Sequence, residues 1–157
     1  MQNFEEDKIV NNQTMQEPSI AILGAGAMGG LIGGSLSEGG ADVTLIDVNA
    51  EHVDALRQNG LKLKTDKGER YIPMPVLFPW EVSKTYDLII VFTKTMHTKS
   101  AITAIRSAID ANTVLLSLQN GLDNKLSLME FVDQENILVG ITTYPADMQE
   151  PGCGVSW

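Results

Sequence analysis

From Ser19 onward the chain alternates between short continuous apolar runs and stretches whose apolar residues recur at helical spacing. Ser19-Ile20-Ala21-Ile22-Leu23 is apolar throughout and stops at Gly24, the pattern of a parallel strand buried on both faces. Met28, Leu31, Ile32 and Leu36 then recur as a helical stripe, closed by Gly39-Gly40. Val43–Ile46 predicts a second strand, and Val53 and Leu56 mark one side of a helix over 50–59 that ends at Gly60. Leu61–Lys64 and Arg70–Ile72 flank Asp66-Lys67-Gly68 and read as a hairpin. Pro73, Pro75 and Pro79 make the next stretch an edge or connector. Asp87–Phe92 predicts a strand, Ala101-Ile102-Ala104-Ile105-Ala108-Ile109 a helix face, and Val114–Leu118 a strand. Leu122–Phe131 follows as a helix and Ile137–Val139 as a last strand. Strands alternating with helices imply right-handed crossovers and an α/β fold, a doubly wound parallel sheet with helices on both faces.

Residues 1–18 lack this order. They are rich in Asn, Gln and acid, with isolated apolar residues, too little to offset the entropy of ordering, so they read as a disordered tail before a domain over 19–157. Met15, just ahead of the first strand, is a candidate true start.

The 157 residues, 43% apolar and 20% charged, suit one ordinary globular domain. Cys153 is the only cysteine, so neither an internal disulfide nor a zinc site is built on it. Eleven Lys+Arg against 20 Asp+Glu give a net charge of −9, which disfavours nucleic acid and anionic membrane as partners. No apolar run has the length of a membrane span, and the N-terminus lacks the order of a signal peptide, so the expected location is the cytoplasm.

Gly24-Ala25-Gly26-Ala27-Met28-Gly29 matches G-x-G-x-x-G, a weak signal alone. Its context strengthens it: a buried strand precedes it, a helix follows, and a second strand ends in Asp47 at the spacing of a dinucleotide-binding fingerprint. Gly24 permits the tight turn, Gly26 lets backbone approach a pyrophosphate, and Gly29 allows close packing of helix on sheet. Backbone N–H groups at the helix N-terminus then face the phosphates.

Asp47 selects between dinucleotides. Its carboxylate can accept hydrogen bonds from both adenosine ribose hydroxyls of NAD but repels the extra phosphate of NADP, by about 4 kcal/mol per charge pair at 4 Å and an effective dielectric near 20. Residues 48–52 offer no Lys or Arg to compensate, so NAD(H) is favoured over NADP(H). A second role for Asp47, as N-cap of the helix from Ala50, is compatible with this one.

Three further segments end predicted strands: Val91-Phe92-Thr93-Lys94, Leu118-Gln119-Asn120-Gly121-Leu122 and Gly140-Ile141-Thr142-Thr143-Tyr144-Pro145-Ala146. In this order, and together with the glycine loop, they resemble the ketopantoate reductase (2-dehydropantoate 2-reductase) family across almost everything from Ser19 onward. All three lie on the edge where open α/β sheets bind ligands. The resemblance implies a Rossmann domain that, with a helical second domain, transfers hydride from a reduced nicotinamide to the ketone of a branched 2-oxo acid. In pantothenate biosynthesis that reaction is reduction of 2-dehydropantoate to D-pantoate. The resemblance further implies that Gly24, Ala25, Gly26, Ala27, Met28, Gly29, Asp47 and Ala146 serve the cofactor, and that Lys94 and Asn120 contact cofactor or substrate. A full-length member would bind a small 2-oxo acid, with a homodimer among its open assemblies.

This sequence departs from the family pattern at three points. Members using NADP usually carry a basic residue near the position of Asp47, so Asp47 points toward NAD-dependent relatives that act as D-2-hydroxyacid dehydrogenases. His97 replaces the Gln common in Lys-x-x-Gln and reads as a surface histidine at a helix start. The family's catalytic lysine belongs to the second domain, so no residue here is assigned proton transfer. The chain is then expected to supply the cofactor half of the enzyme, inactive by itself, or to act as a dinucleotide-binding module without catalysis. The segment 152–157 is expected to end within an element, leaving a domain-facing surface exposed.

Overall fold

The computed structural model describes residues 17–66, 68–119 and 124–156. The tail over 1–16 with Met15, the hairpin residue Lys67, the motif residues Asn120, Gly121 and Leu122, and Trp157 lie outside the described residues.

Six parallel strands form the main sheet: β1 (Ser19–Leu23), β2 (Asp42–Ile46), β5 (Val76–Leu77), β6 (Leu88–Val91), β7 (Val114–Ser117) and β8 (Ile137–Val139), in the order β5-β2-β1-β6-β7-β8. The order reverses between β1 and β6, which run side by side with Leu23 opposite Val91. A doubly wound sheet presents its ligand crevice at that reversal, outside the carboxyl ends of the strands.

Strand periodicity explains why these runs carry no polar alternation. In β1, Ala21 and Leu23 join a core with Ile89, Val91, Ile102, Ile105 and Leu115, while Ile20 and Ile22 join a second core with Val43, Leu45, Val53, Leu56 and Ile90. Both faces of the sheet are covered, so both sets of alternating side chains are apolar.

Helix α1 (Ala27–Glu38) departs from its expected stripe. Leu31 is buried, but Met28, Ile32 and Leu36 are only half-buried, and the buried positions beside Leu31 are Gly29, Gly30, Gly33 and Gly34. The cause is a second sheet. Strands β3 (Leu61–Thr65), β4 (Gly68–Ile72), β9 (Ala146–Glu150) and β10 (Cys153–Ser156) form four strands in the order β4-β3-β10-β9, and α1 packs between the two sheets. A Cβ at Gly33 would come within 2.8 Å of Leu45 on one side, and one at Gly34 within 2.7 Å of Leu61 on the other. Two neighbouring glycine rows let one helix approach both sheets, where larger side chains would overpack.

The predicted hairpin is thus the start of a sheet that the closing segment completes. β10 runs parallel to β3 and antiparallel to β9, so the segment after Gly152 is paired on both sides through Val155 and on the β9 side through Ser156. Helix α2 (Ala50–Asn59) has its predicted bounds and ends at Gly60, whose φ is 76°. Helix α3 (Thr98–Ala104) ends early and the chain continues as a 3-10 turn over Arg106–Ala108, and α4 (Asn124–Leu128) stops short of its predicted end at Phe131, its predicted start at Leu122 lying outside the described residues. Among the described residues no helix is long and apolar enough to cross a membrane.

Candidate functional site

The glycine loop joins the carboxyl end of β1 to α1, and each glycine meets a different constraint. Gly24 takes φ 98°, and a Cβ there would press to 3.0 Å on the Phe92–Thr93 backbone. A Cβ at Gly29 would lie 1.9 Å from the Gly24 carbonyl oxygen and 3.0 Å from Ile22, so helix and strand meet there without a side chain between them. Gly26 differs: a Cβ would meet nothing within 4 Å. Its backbone fronts open space at the point where a ligand would approach.

Gly26 is also the N-cap of α1, with no side-chain cap and no acidic residue in the first turn. A helix start leaves its first N–H groups without intrahelical partners and carries partial positive charge. Such an end favours an anion, and a dinucleotide pyrophosphate fits the cradle.

Asp47, just beyond β2, stands beside the loop. Its Oδ2 accepts the Ala25 N–H at 2.8 Å and its Oδ1 accepts the Asn49 N–H at 2.9 Å. Each carboxylate oxygen keeps capacity for a further donor, so a ribose diol fits the same group. The N-cap of α2 is Asn49, whose Oδ1 accepts the His52 N–H at 3.1 Å, and the expected capping role of Asp47 is therefore corrected. Asn49 takes it because it directly precedes the first helical residue and Asp47 is already engaged with the loop.

Lys94 follows β6 and is exposed, with no carboxylate at ion-pair distance among the described residues. Met28, Lys94 and Ala146 line one cleft of about 550 Å³ together with Thr93, Gln119 and Tyr144, a size within the range of small-molecule sites. The structure thus brings together Lys94, Ala146 and the start of α1. It says nothing of Asn120, which lies outside the described residues. His97 is exposed at the start of α3, as the sequence suggested.

Two site residues escaped sequence reasoning. Gln119, buried, donates through Nε2 to the Thr93 carbonyl, while its Oε1 accepts the Ser117 hydroxyl at 3.1 Å and the Thr98 hydroxyl at 3.2 Å. It ties the loop carrying Lys94 to the loop after β7. His52 is 3% exposed on α2, with Nε2 2.7 Å from the Ala25 carbonyl oxygen and Nδ1 accepting the Gly152 N–H at 2.8 Å. A signal existed for each: an amide next to the noted Asn120, and a lone histidine one residue before Val53 on the packed side of α2. Among the described residues no cluster of His, Cys, Asp or Glu could hold a metal ion.

Comparison with known proteins agrees with this geometry. A family model described as ketopantoate reductase PanE/ApbA matches residues 20–153. The 2-dehydropantoate 2-reductase of Streptococcus pyogenes is 35% identical over 133 residues, and that of Lactococcus lactis 38% over 135, each covering 85% of this chain and 43% of the relative. The structure of D-mandelate dehydrogenase with NADH and anilino(oxo)acetate superposes with a TM-score of 0.86 at 37% identity, over 88% of this chain and 45% of that one. This chain therefore spans less than half the length of these three relatives, and with its Rossmann sheet, glycine loop and matching segments it belongs to the ketopantoate reductase family of oxidoreductases.

Proposed function

We propose that this chain is the cofactor-binding half of a nicotinamide-dependent reductase of 2-oxo acids, with 2-dehydropantoate as substrate, D-pantoate as product and NADH favoured over NADPH. The observation that carries the reading is the open approach to Gly26 at an uncapped helix start, with Asp47 beside it and the Lys94 cleft adjoining. The helix N–H groups hold the phosphate charge, and Asp47 accepts the adenosine ribose hydroxyls while disfavouring a phosphate there. Bound NADH would supply the hydride. Lys94 places a cation at the cleft, suited to the carboxylate or ketone oxygen of a 2-oxo acid, and Asn120 is assigned to the same task from its motif position. Proton transfer is assigned to no residue of this chain.

A second reading, an NAD-dependent D-2-hydroxyacid dehydrogenase, is favoured by Asp47 and by the likeness to D-mandelate dehydrogenase. Full-length protein assayed with 2-dehydropantoate, 2-oxoisocaproate and phenylglyoxylate separates the two. Highest kcat/KM on 2-dehydropantoate supports the first reading, and highest kcat/KM on phenylglyoxylate the second. The chain of 157 residues alone is expected to bind NADH without turnover.

A further inference from the structure

We propose that His52 is a positioning residue for the cofactor loop, setting the Ala25 peptide of the glycine loop against the β9–β10 turn. The inference rests on the cofactor reading above.

The Ala25 backbone is held on both sides of its Cα. Its N–H donates to Asp47 Oδ2 at 2.8 Å, and its carbonyl oxygen lies 2.7 Å from His52 Nε2. Both partners come from the segment that leaves β2 and opens α2, so two side chains five positions apart hold the successive peptide planes on either side of the Ala25 Cα, and His52 holds the second, the plane directly before Gly26. Rotation of that plane would change where the Gly26 backbone points, and Gly26 is the residue that fronts open space.

The other ring nitrogen fixes the histidine. Gly152 N–H can only donate, so Nδ1 accepts and carries no proton. The proton then sits on Nε2, which donates to the Ala25 carbonyl. The tautomer follows from the two partners, one a donor and one an acceptor. Gly152 is itself constrained, with φ 78° and a notional Cβ only 3.2 Å from Ala55, so the turn cannot readily slide along α2. A line of bonds runs from Asp47 through Ala25 and His52 to Gly152, and the next residue, Cys153, is 1% exposed in β10.

The test uses this chain and three variants. Asn at position 52 carries its Oδ1 where Nδ1 stands and keeps the Gly152 bond alone. Gln carries its amide N–H where Nε2 stands and keeps the Ala25 bond alone. Ala keeps neither. NADH affinity reads the loop, and alkylation of Cys153, the only thiol, reads the turn. Expected results are a Kd for NADH raised roughly tenfold in His52→Asn and His52→Ala but rescued to within about threefold of wild type in His52→Gln. Cys153 is expected to label faster in His52→Ala and His52→Gln than in His52→Asn. Wild-type affinity in His52→Asn and His52→Ala would overturn the inference while leaving the cofactor reading intact, and failure of the wild-type chain to bind NADH would overturn both. Should the variants not fold, nitrogen NMR of the wild-type ring decides: the Nε2–H tautomer supports the inference and the Nδ1–H tautomer overturns it.

Discussion

Asp47 Oδ2 accepts the backbone N–H of Ala25 at 2.8 Å across 22 positions of sequence, so the acid just beyond β2 is part of the glycine loop's own scaffold. Replacing it should therefore affect binding by two routes, loss of charge opposite the ribose and loosening of the loop. Asp47→Asn is expected to raise the Kd for NADH about tenfold, the effect of weakening a charge-assisted hydrogen bond, and to narrow the preference over NADPH. Isothermal titration with both cofactors checks it.

Two of the loop glycines, Gly26 and Gly29, should fail in different ways. Gly26→Ala adds a methyl group where nothing lies within 4 Å, on a backbone with φ −62° that alanine adopts freely. Thermal stability should change by no more than about 0.5 kcal/mol while NADH binding is lost. Gly29→Ala meets the Gly24 carbonyl at 1.9 Å, a backbone atom that cannot step aside. That variant should lose about 3 kcal/mol or more, or fail to fold, as seen by denaturant titration.

Gln119→Leu removes the donor to the Thr93 carbonyl and the acceptor for the Ser117 and Thr98 hydroxyls, all in a buried cluster. Unsatisfied polar groups left behind should destabilise the chain by about 2–4 kcal/mol in urea unfolding. Gln119→Glu would keep the shape but not the donor, and is expected to lose stability as well.

Acid should weaken the fold through a few surface carboxylates. The Ser19 backbone N–H and then its hydroxyl hold the Asp87 carboxyl below its ordinary pKa, with burial opposing. The Phe78 N–H followed by Arg57 does the same for Glu81, and a side-chain hydrogen bond from Arg70 for Glu38. A pKa lower in the folded than in the unfolded chain gives stability that is present above the unfolded value and lost as pH falls through the folded one. Thermal midpoints should thus fall between about pH 5 and pH 3, and less so in Asp87→Asn. Equal pH dependence in the variant would contradict the assignment.

The parallel sheet was legible because its strands are buried on both faces, which writes them as unbroken apolar runs such as Ile20–Leu23 and Leu88–Val91. The loop and Asp47 were legible because their spacing follows from the length of one helix and one strand. The second sheet was not. Its strands carry charge at Lys62, Lys64, Glu69 and Arg70, and β10 lies far along the chain from β3, so local pattern gave only the hairpin. The packing of α1 was hidden for a related reason: its buried faces are glycines, which carry no hydrophobic signal, while Met28, Ile32 and Leu36 stay half-exposed. His52 and Gln119 act through bonds to backbone groups 27 and 26 positions away, contacts that no local spacing encodes.

Direct titration of the 157-residue chain with NADH and NADPH tests whether the Gly24–Gly29 loop with Asp47 forms an NADH site. One site per chain with tighter binding of NADH than NADPH is the predicted result. Binding of neither cofactor would contradict the site, and tighter binding of NADPH would contradict the role assigned to Asp47.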